Sequence, residues 1–320
     1  MKRNILIVSA GKRVALVRAF QETLVRFFPE AKVFTADMHP EMAPACYVSD
    51  GCFKVPKVTN ENYAECLLNL CEANCIGMVI PTIDTELMVL SALKEEWEKK
   101  GIYLLVSDPK LIAICRDKRQ TALFFQQQGI DVPKEMDKHQ PTFPLCAKPY
   151  DGSSTKNFRV IHNPEEWTPS LLNDPKLIFM EYIDRQVYQE FTVDMYYGRD
   201  HGVKCIIPRE RIEVRAGEIS KGRTVKNAII PFLKEKLGYI EGCVGCICVQ
   251  LFFHPEQEHQ DIIGIEINPR FGGGYPLSYR CGGNFPEWLI REYFMGEQVE
   301  YVDDWTDGML MLRFDDAIYV

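Results

Sequence analysis

Three polar residues at alternating positions could together bind a metal ion and a phosphate group. Glu266, Asn268 and Arg270 lie in the sequence GIEINPRFGGGYP, which spans residues 264–276. Isoleucine alternates with other residues here, so the pattern predicts a strand that places Glu266 and Asn268 on one face. Carboxylate and amide oxygens are typical ligands of Mg²⁺, and a guanidinium group binds phosphate. A half-buried strand with a polar face and a flexible loop after it explains these residues equally well.

A small polar turn farther upstream could also bind phosphate. Gly152, Ser153 and Ser154 follow a strand-like run at residues 145–149. The backbone N–H groups and hydroxyls of such a turn can surround a phosphate group. Lys148, near the end of the preceding strand, supplies a suitable cation. Taken alone, a Gly-Ser turn is more typical of a hairpin.

Two further predicted strands contain polar residues that could contact a ligand. Glu190 lies on the polar face of a strand predicted at residues 189–195. Gln250 is the polar residue in the otherwise apolar run at 246–253. A buried glutamine needs hydrogen-bond partners, so Gln250 either contacts a ligand or bonds within the core.

The elements that begin the chain predict a parallel sheet covered by helices. An apolar strand at residues 4–9 is followed by a helical period over 14–28 and a second strand at 32–37. This β-α-β order is typical of α/β domains. The turn after the first strand contains the single glycine Gly11 rather than G-x-G-x-x-G, which argues against a dinucleotide-binding site and a dehydrogenase.

A polar turn follows another strand of the same predicted sheet. Thr82, Asp84 and Glu86 come after the strand at residues 78–81 and before a helix. Ligands of open α/β sheets bind outside the carboxyl ends of the strands, so these residues could contact a substrate. Capping of the helix by Asp84 or Thr85, with Glu86 in its first turn, explains the same residues equally well.

Composition excludes several classes of protein. The 320 residues are enough for two domains or three small ones. The net charge of −8 argues against nucleic acid as a partner, because phosphate contacts need clustered Lys and Arg. No apolar run is long enough to span a membrane, and the N-terminal one is too short for a signal peptide. We therefore expect a cytoplasmic protein without a membrane or nucleic-acid partner.

The 12 cysteines are scattered along the sequence. Without an export signal, we expect reduced thiols rather than a disulfide framework. Cys243 and Cys246 have C-x-x-C spacing, which could indicate zinc or redox chemistry, but no second pair lies nearby at metal-binding spacing. The favoured interpretation is that both are small buried hydrophobic residues.

The order of these segments resembles the ATP-grasp superfamily, and most closely its carbamoyl-phosphate-synthetase-like branch. The segments are DKRQT, AKPYDGSS, MEYI, QEFTVD, PRER, VQLF and EINPRFGGG, between about residues 117 and 296. Earlier residues are similar to the α/β domain that precedes an ATP-grasp domain. The resemblance implies a parallel α/β domain at 1–113, followed by a two-lobed ATP-grasp domain with a small lobe at 114–185 and a large lobe at 186–320.

The resemblance also implies roles for individual residues around ATP bound between the two lobes. The implied groups are Lys118 and Lys148 on the phosphates; Gly152, Ser153 and Ser154 in the phosphate loop; Glu181, Tyr182 and Ile183 in the adenine hinge; Glu190 on the ribose; Gln250, Glu266 and Asn268 as Mg²⁺ ligands; Arg270 on the transferring phosphoryl group; and Arg209 and Lys221 on the acyl phosphate or γ-phosphate. Gln250 stands where Asp or Glu is more common, although the carbamoyl-phosphate-synthetase branch uses glutamine.

The activity that this resemblance implies is ATP-dependent ligation of a carboxylate to an amine. The expected cofactors are ATP and Mg²⁺, with Mn²⁺ as the alternative metal, and an acyl phosphate is the expected intermediate. The expected partners are a small-molecule acid and a small-molecule amine, and a homodimer is compatible with the family. A kinase or phosphotransferase, or a non-catalytic nucleotide-binding module, are the alternative classes.

Overall fold

The computed structural model describes residues 2–151, 158–215, 217–256 and 261–320. It consists of a parallel α/β sheet, a small antiparallel sheet and a large antiparallel sheet, in that order along the chain. This architecture confirms the predicted fold class. The domain boundaries at 113 and 185 stay a prediction.

The N-terminal sheet is parallel, and its strand order is β3-β2-β1-β4-β5. Its strands are β1 (Asn4–Val8), β2 (Val33–Asp37), β3 (Cys52–Lys54), β4 (Ile76–Pro81) and β5 (Tyr103–Leu104). The associated helices are α1 (Val14–Phe27), α2 (Pro44–Val48), α3 (Tyr63–Ala73), α4 (Asp84–Lys99) and α5 (Pro109–Arg116), with a 3₁₀ turn at Pro40–Met42. Because β1 and β4 are parallel neighbours, the turns that follow them open at the same edge of the sheet.

The small sheet has three antiparallel strands in the order β7-β6-β8. Its strands are β6 (Leu145–Pro149), β7 (Arg159–Ile161) and β8 (Leu177–Glu181). The helices of this region are α6 (Lys118–Gln127) and α7 (Pro169–Leu172), with a 3₁₀ turn at Pro164–Glu166.

The large sheet is antiparallel and has the strand order β13-β12-β9-β10-β11-β14. Its strands are β9 (Gln189–Tyr197), β10 (Val203–Arg215), β11 (Glu218–Thr224), β12 (Gly245–Phe253), β13 (Ile262–Asn268) and β14 (Leu310–Leu312). The helices are α8 (Ile229–Lys236), α9 (Tyr275–Arg280) and α10 (Phe285–Ile290), which continues into a π-helical turn at Arg291–Met295.

A shared apolar core joins the N-terminal sheet to the large sheet. Phe20 of α1 contacts Phe271 edge to face, with ring centroids 5.7 Å apart. The same core includes Ile7 of β1 and Phe285 and Leu289 of α10, all of which are fully buried. Burial of each such side chain is worth about 1.5–3 kcal/mol, so the packing fixes the N-terminal domain against the loop that follows β13.

The cysteines differ from the expectation at one pair. Cys46 and Cys52 are joined by a disulfide, and the other ten cysteines are free. Cys46 follows the turn after β2 and Cys52 begins the neighbouring β3, which brings the two side chains together. Cys243 and Cys246 are both buried.

No helix within the described ranges has the length and apolar character needed to cross a membrane.

Candidate active site

Three oxygen-bearing side chains lie on one face at the paired strands β12 and β13. Gln250 is directly opposite Glu266 in the antiparallel register, and Asn268 is two residues farther along β13. Opposite residues of an antiparallel pair share a face, and residues two apart on a strand do so as well. The Asn268 amide Nδ2 donates to Glu266 Oε1 at 2.9 Å, which fixes both side chains. Strand pairing therefore assembles the three predicted metal ligands.

Two lysines, one on α6 and one on β6, interact electrostatically with this carboxylate. Lys118 begins α6, and its Nζ lies 3.8 Å from Glu266 Oε2. The backbone N–H of Lys118 donates to the carbonyl of Tyr150 at 2.8 Å, which holds the start of α6 against the end of β6. Lys148 of β6 is electrostatically coupled to both residues: burial lowers its pKa, Glu266 opposes that change and Lys118 reinforces it.

Arg270 connects this cluster to the N-terminal domain. Its Nε and Nη2 atoms donate to the two carboxylate oxygens of Asp84 at 2.9 and 3.1 Å. Nη2 also donates to Asn268 Oδ1 at 3.3 Å. Burial acts to lower the pKa of Arg270, but the Asp84 carboxylate outweighs it and raises the pKa. Arg270 is thus a permanently charged group held in one orientation.

Of the polar residues after β4, only Asp84 contacts the cluster of predicted ligands. Thr82 donates its hydroxyl to the carbonyl of Ser9 at 2.7 Å. Glu86 is 1% exposed and accepts from the hydroxyls of Ser9 and Tyr63 at 2.6 and 2.8 Å. Burial raises the pKa of Glu86 to about 7. Thr82 and Glu86 therefore stabilise the carboxyl edge of the sheet through hydrogen bonds within the N-terminal domain.

Glu190, the predicted ribose ligand, is held between two arginines. Its carboxylate lies 2.9 Å from Nε of Arg211 and 3.0 Å from Arg185, and its side chain is 12% exposed. Burial acts to lower the pKa of Arg211, and Glu190 opposes that effect. The carboxylate is therefore fixed but keeps contact with solvent near the start of β9.

The predicted hinge follows strand β8. The backbone N–H of Glu181 donates to the carbonyl of Lys134 at 2.8 Å, and its Oε2 accepts from the Lys134 N–H at 3.3 Å. Ile183 is buried, while Tyr182 is partly exposed. Gly152, Ser153 and Ser154, the predicted phosphate loop, lie outside the described residues.

Arg209 is enclosed rather than open to a ligand. It is 1% exposed and donates twice to Asp194, at 2.8 and 2.9 Å. Asp194 also accepts from Ser278 Oγ at 2.6 Å and from the Cys248 thiol at 2.9 Å. The charge of Arg209 is therefore already compensated within the core.

Lys221 lies apart from the other predicted residues. It is on β11, and strands β9 and β10 separate β11 from β12. Its Nζ pairs with Glu213 Oε2 at 2.7 Å, and about half of its side chain is exposed. In this arrangement Lys221 does not contact the described residues of the cluster around Glu266.

A second group of ligating atoms occurs in the core at Asp194, Cys246 and Cys248, within 4.8 Å of one another. Both oxygens of Asp194 already accept hydrogen bonds from Arg209. Burial raises the pKa of the Cys246 thiol, which disfavours the thiolate that a metal would need. We interpret the group as a buried hydrogen-bond network.

Four charged residues that the motifs did not indicate form ion pairs near the glycine-rich loop, residues 272–274. They are Lys12 and Arg13 after β1, Glu218 at the start of β11 and Arg313 after β14. The position of Arg13 after a central strand of a parallel sheet is a signal that sequence reasoning could have used.

Two family models match separate parts of the sequence. Residues 5–105 match the family model of the PylC-like N-terminal domain, and residues 173–317 match the model described as ATP-grasp in the biosynthetic pathway with Ter operon. The chain combines a parallel α/β domain with a two-lobed domain of antiparallel sheets. The chain therefore has the ATP-grasp fold, and its residues 173–317 match an ATP-grasp family model.

Individual proteins with similar sequence or structure are named as ligases or synthetases. A segment of 99 residues is 33% identical to D-alanine–D-alanine ligase of Fusobacterium nucleatum, covering 30% of this chain and 33% of that protein. N5-carboxyaminoimidazole synthetase from Staphylococcus aureus complexed with ADP superposes with a TM-score of 0.70 at 15% identity, over 94% of this chain and 78% of that one. L-amino acid ligase from Bacillus licheniformis superposes with a TM-score of 0.66 at 17% identity, over 91% of this chain and 73% of that one. The sequence match spans one third of the ligase from Fusobacterium nucleatum, and the structural matches at these identities concern the fold.

Proposed function

We propose that this protein is an ATP-dependent ligase that joins a carboxylate to an amine through an acyl-phosphate intermediate. One observation supports this most directly: Glu266 lies 3.8 Å from Lys118 Nζ and is hydrogen-bonded to Asn268, which in turn accepts from Arg270. Lys148 interacts electrostatically with Glu266 and Lys118. Phosphoryl transfer needs positioning and charge stabilisation rather than a protein nucleophile, and this group supplies cations and oxygen ligands.

The nucleotide would lie between the small lobe and the large sheet. Lys118 and Lys148 would bind its phosphates, since burial lowers the pKa of Lys148 and a phosphate anion would favour its charged form. The ribose would contact Glu190, and the adenine would contact backbone groups of the segment 181–183. The loop that includes Gly152, Ser153 and Ser154 would cover the phosphates, a role proposed from the resemblance alone.

The donor set suits a hard divalent cation. Gln250, Glu266 and Asn268 would hold Mg²⁺, or Mn²⁺, because all three offer oxygen atoms on the same face of β12 and β13. Lys118 at 3.8 Å balances the Glu266 charge in the present arrangement. A metal held by these three residues would supply positive charge that offsets the charge of the ATP phosphates.

The proposed reaction has two displacements. First, a carboxylate oxygen of the acid attacks the γ-phosphorus of ATP, the bond from that phosphorus to the bridging oxygen breaks, and ADP leaves. Next, the nitrogen of the amine attacks the acyl carbon, the carbon–oxygen bond to phosphate breaks, and the amine loses a proton. Arg270 would stabilise the charge on the transferring group with guanidinium N–H groups other than those bonded to Asp84, because Asp84 fixes the orientation of the guanidinium.

The relatives support the ligase class over the alternatives. D-alanine–D-alanine ligase and L-amino acid ligase are named for joining small molecules, and both are similar to this chain. A cytoplasmic location and a homodimer remain predictions.

The test measures ADP and inorganic phosphate separately. Purified protein is incubated with ATP and Mg²⁺ and with pooled amino acids or small acids, each pool alone and then in pairs. A ligase releases both products only when an acid and an amine are present together. Release of ADP with one acceptor and no free phosphate would indicate a kinase instead, and no ADP release with any pair would contradict catalysis.

A further inference from the structure

A cluster of cations surrounds one carboxylate beside the glycine-rich loop that follows Arg270. Glu218 Oε2 lies 2.9 Å from Arg313 Nη1 and 3.4 Å from Lys12 Nζ, and Glu218 Oε1 lies 4.0 Å from Arg13 Nη1. Arg313 also donates to the carbonyl of Gly273. Three distant parts of the chain therefore converge here: the turn after β1, the start of β11 and the segment after β14.

The cluster has more positive than negative charge. Three cations face the single carboxylate Glu218, and within the described residues no other carboxylate lies within 4.0 Å of Arg13. The Arg13 side chain is only 18% exposed, so water screens it weakly. Burial lowers the pKa of Arg13, the charge of Arg270 lowers it further, and Glu218 offsets this only in part. An added anion would relieve this repulsion.

The backbone of the loop approaches these charged groups closely because Gly273 has no side chain. A Cβ atom placed on Gly273 would lie 2.7 Å from Glu218 and 2.9 Å from Arg13 Nη1. Any larger residue would therefore clash with the carboxylate and the guanidinium, so glycine allows both groups to lie against the loop. Arg270, three residues earlier, places this cluster next to the proposed reaction site.

We propose that Arg13 and Arg313, with Lys12 at the rim, form an anion subsite that holds a second acidic group of the acid substrate. The inference rests on the proposed function and deepens it: the acid to be activated carries one carboxylate that reacts and another carboxylate or phosphate-type group that does not. Arginine suits this role because its planar donors match both kinds of anion. Arg13 belongs to the N-terminal domain and Arg313 to the C-terminal segment, so bound substrate would contact both parts of the chain.

The experiment compares acids that differ only in the second acidic group. Binding to the full chain is measured calorimetrically with ADP and Mg²⁺ present, at constant ionic strength. The ligands are succinate, glutarate and adipate, the monocarboxylates butyrate, pentanoate and hexanoate with the same carbon numbers, and 3-phosphonopropionate. The variants are Arg13→Gln and Arg313→Gln, and the control is Arg223→Gln, which removes a half-exposed β11 arginine paired with Glu210.

We expect the unmodified protein to bind at least one doubly acidic ligand about tenfold or more tightly than its matched monocarboxylate, the scale of a charged hydrogen bond. Arg13→Gln and Arg313→Gln should each abolish most of that preference, and Arg223→Gln should retain it. Tighter binding of 3-phosphonopropionate than of the dicarboxylates would identify the second acidic group of the substrate as a phosphate-type group. Arg313 is more exposed than Arg13, so its variant remains informative if Arg13→Gln fails to fold.

Several results would overturn the subsite. They are equal binding of mono- and dicarboxylates by the unmodified protein, a preference that survives in both variants, or a preference that Arg223→Gln also removes. The ADP assay separates this inference from the ligase proposal. If the binding preference depends on Arg13 but no ADP is released, the subsite is supported and the ligase proposal is contradicted. If monocarboxylates support ADP release and Arg13→Gln does not affect it, the ligase proposal is supported and the subsite is contradicted.

Discussion

The guanidinium of Arg270 donates to both carboxylate oxygens of Asp84, at 2.9 and 3.1 Å, across 186 positions of sequence. Asp84 begins α4 in the N-terminal domain, and Arg270 follows the predicted metal ligands on β13. Both side chains are largely buried, at 16% and 15% exposed. The N-terminal domain therefore contributes directly to the orientation of a predicted catalytic arginine.

Asp84→Asn tests whether that orientation matters. The amide keeps the shape of the carboxylate but removes its charge and offers only one acceptor oxygen, so Arg270 should lose its fixed position. We expect kcat to fall by about tenfold or more, with a much smaller change in ATP affinity, because the guanidinium would act mainly in the transition state. Steady-state kinetics together with nucleotide titration would measure both quantities.

The matched control is Asp108→Asn, which makes the same change at the N-cap of α5, where the carboxylate pairs with Lys94 at 3.1 Å. It should leave kcat near that of the unmodified protein. Equal losses in the two variants would show that general destabilisation, rather than the position of Arg270, explains the effect.

Sequence patterns predicted the local arrangement of the site better than its long-range contacts. Alternation along the strands anticipated the shared face of Glu266 and Asn268, and the motif order anticipated the ATP-grasp fold. The pairing of Asp84 with Arg270 was not predictable, since local periodicity gives no distance between residues far apart in sequence. The motif around Arg209 likewise did not predict that its guanidinium is bonded to Asp194. Both faces of β10 are buried at that point, so a polar residue there can face the core as well as a ligand.

The charged cluster near Gly273 shows a related limit. Arg13 and Arg313 are 300 positions apart, and neither belongs to a recognisable motif.

Lys221 illustrates the effect of strand irregularity. The pairing of β10 with β11 shifts register on both sides of Glu213, which places Lys221 beside that carboxylate. Such shifts depend on the assembled sheet rather than on local sequence.

Glu266→Gln should abolish turnover while the fold remains intact. The substitution removes the formal negative charge that would bind the metal and changes the side-chain volume very little. The amide also loses its ion pair with Lys118, which lies 3.8 Å away in the present structure. ADP release would be measured over a range of Mg²⁺ concentrations, with circular dichroism as the check on folding. Turnover equal to that of the unmodified protein at every concentration would remove Glu266 from the site.

Arg270→Lys separates charge from geometry at the same position. Lysine keeps the positive charge but cannot donate in parallel to both oxygens of Asp84. We expect kcat to fall by about 10²-fold, the scale of losing one preorganised donor, with little change in ATP affinity. If Arg270 has a purely structural role, the variant should instead melt at a lower temperature and keep its kcat per folded molecule. Both quantities should therefore be measured on one preparation.

Glu86 should make the stability of the protein depend on pH. Its side chain is 1% exposed, and burial raises its pKa from an ordinary 4.5 to about 7. The folded state therefore binds more protons at this group than the unfolded state between those two values, so its contribution to stability falls as pH rises through that window. From pH 5 to pH 8 the loss should be roughly 2–3 kcal/mol.

Glu86→Gln mimics the protonated carboxyl and removes this titration. Its oxygen can still accept from Ser9 and Tyr63, which now bond to Glu86 Oε1 at 2.6 and 2.8 Å. Denaturant unfolding at pH 5 and pH 8 should show the variant gaining stability relative to the unmodified protein as pH increases. The control Glu95→Gln, at an exposed position of the same helix α4, should retain the pH dependence of the unmodified protein. If the difference between Glu86→Gln and the unmodified protein were the same at both pH values, Glu86 would not titrate in this range, and burial alone would not govern its charge.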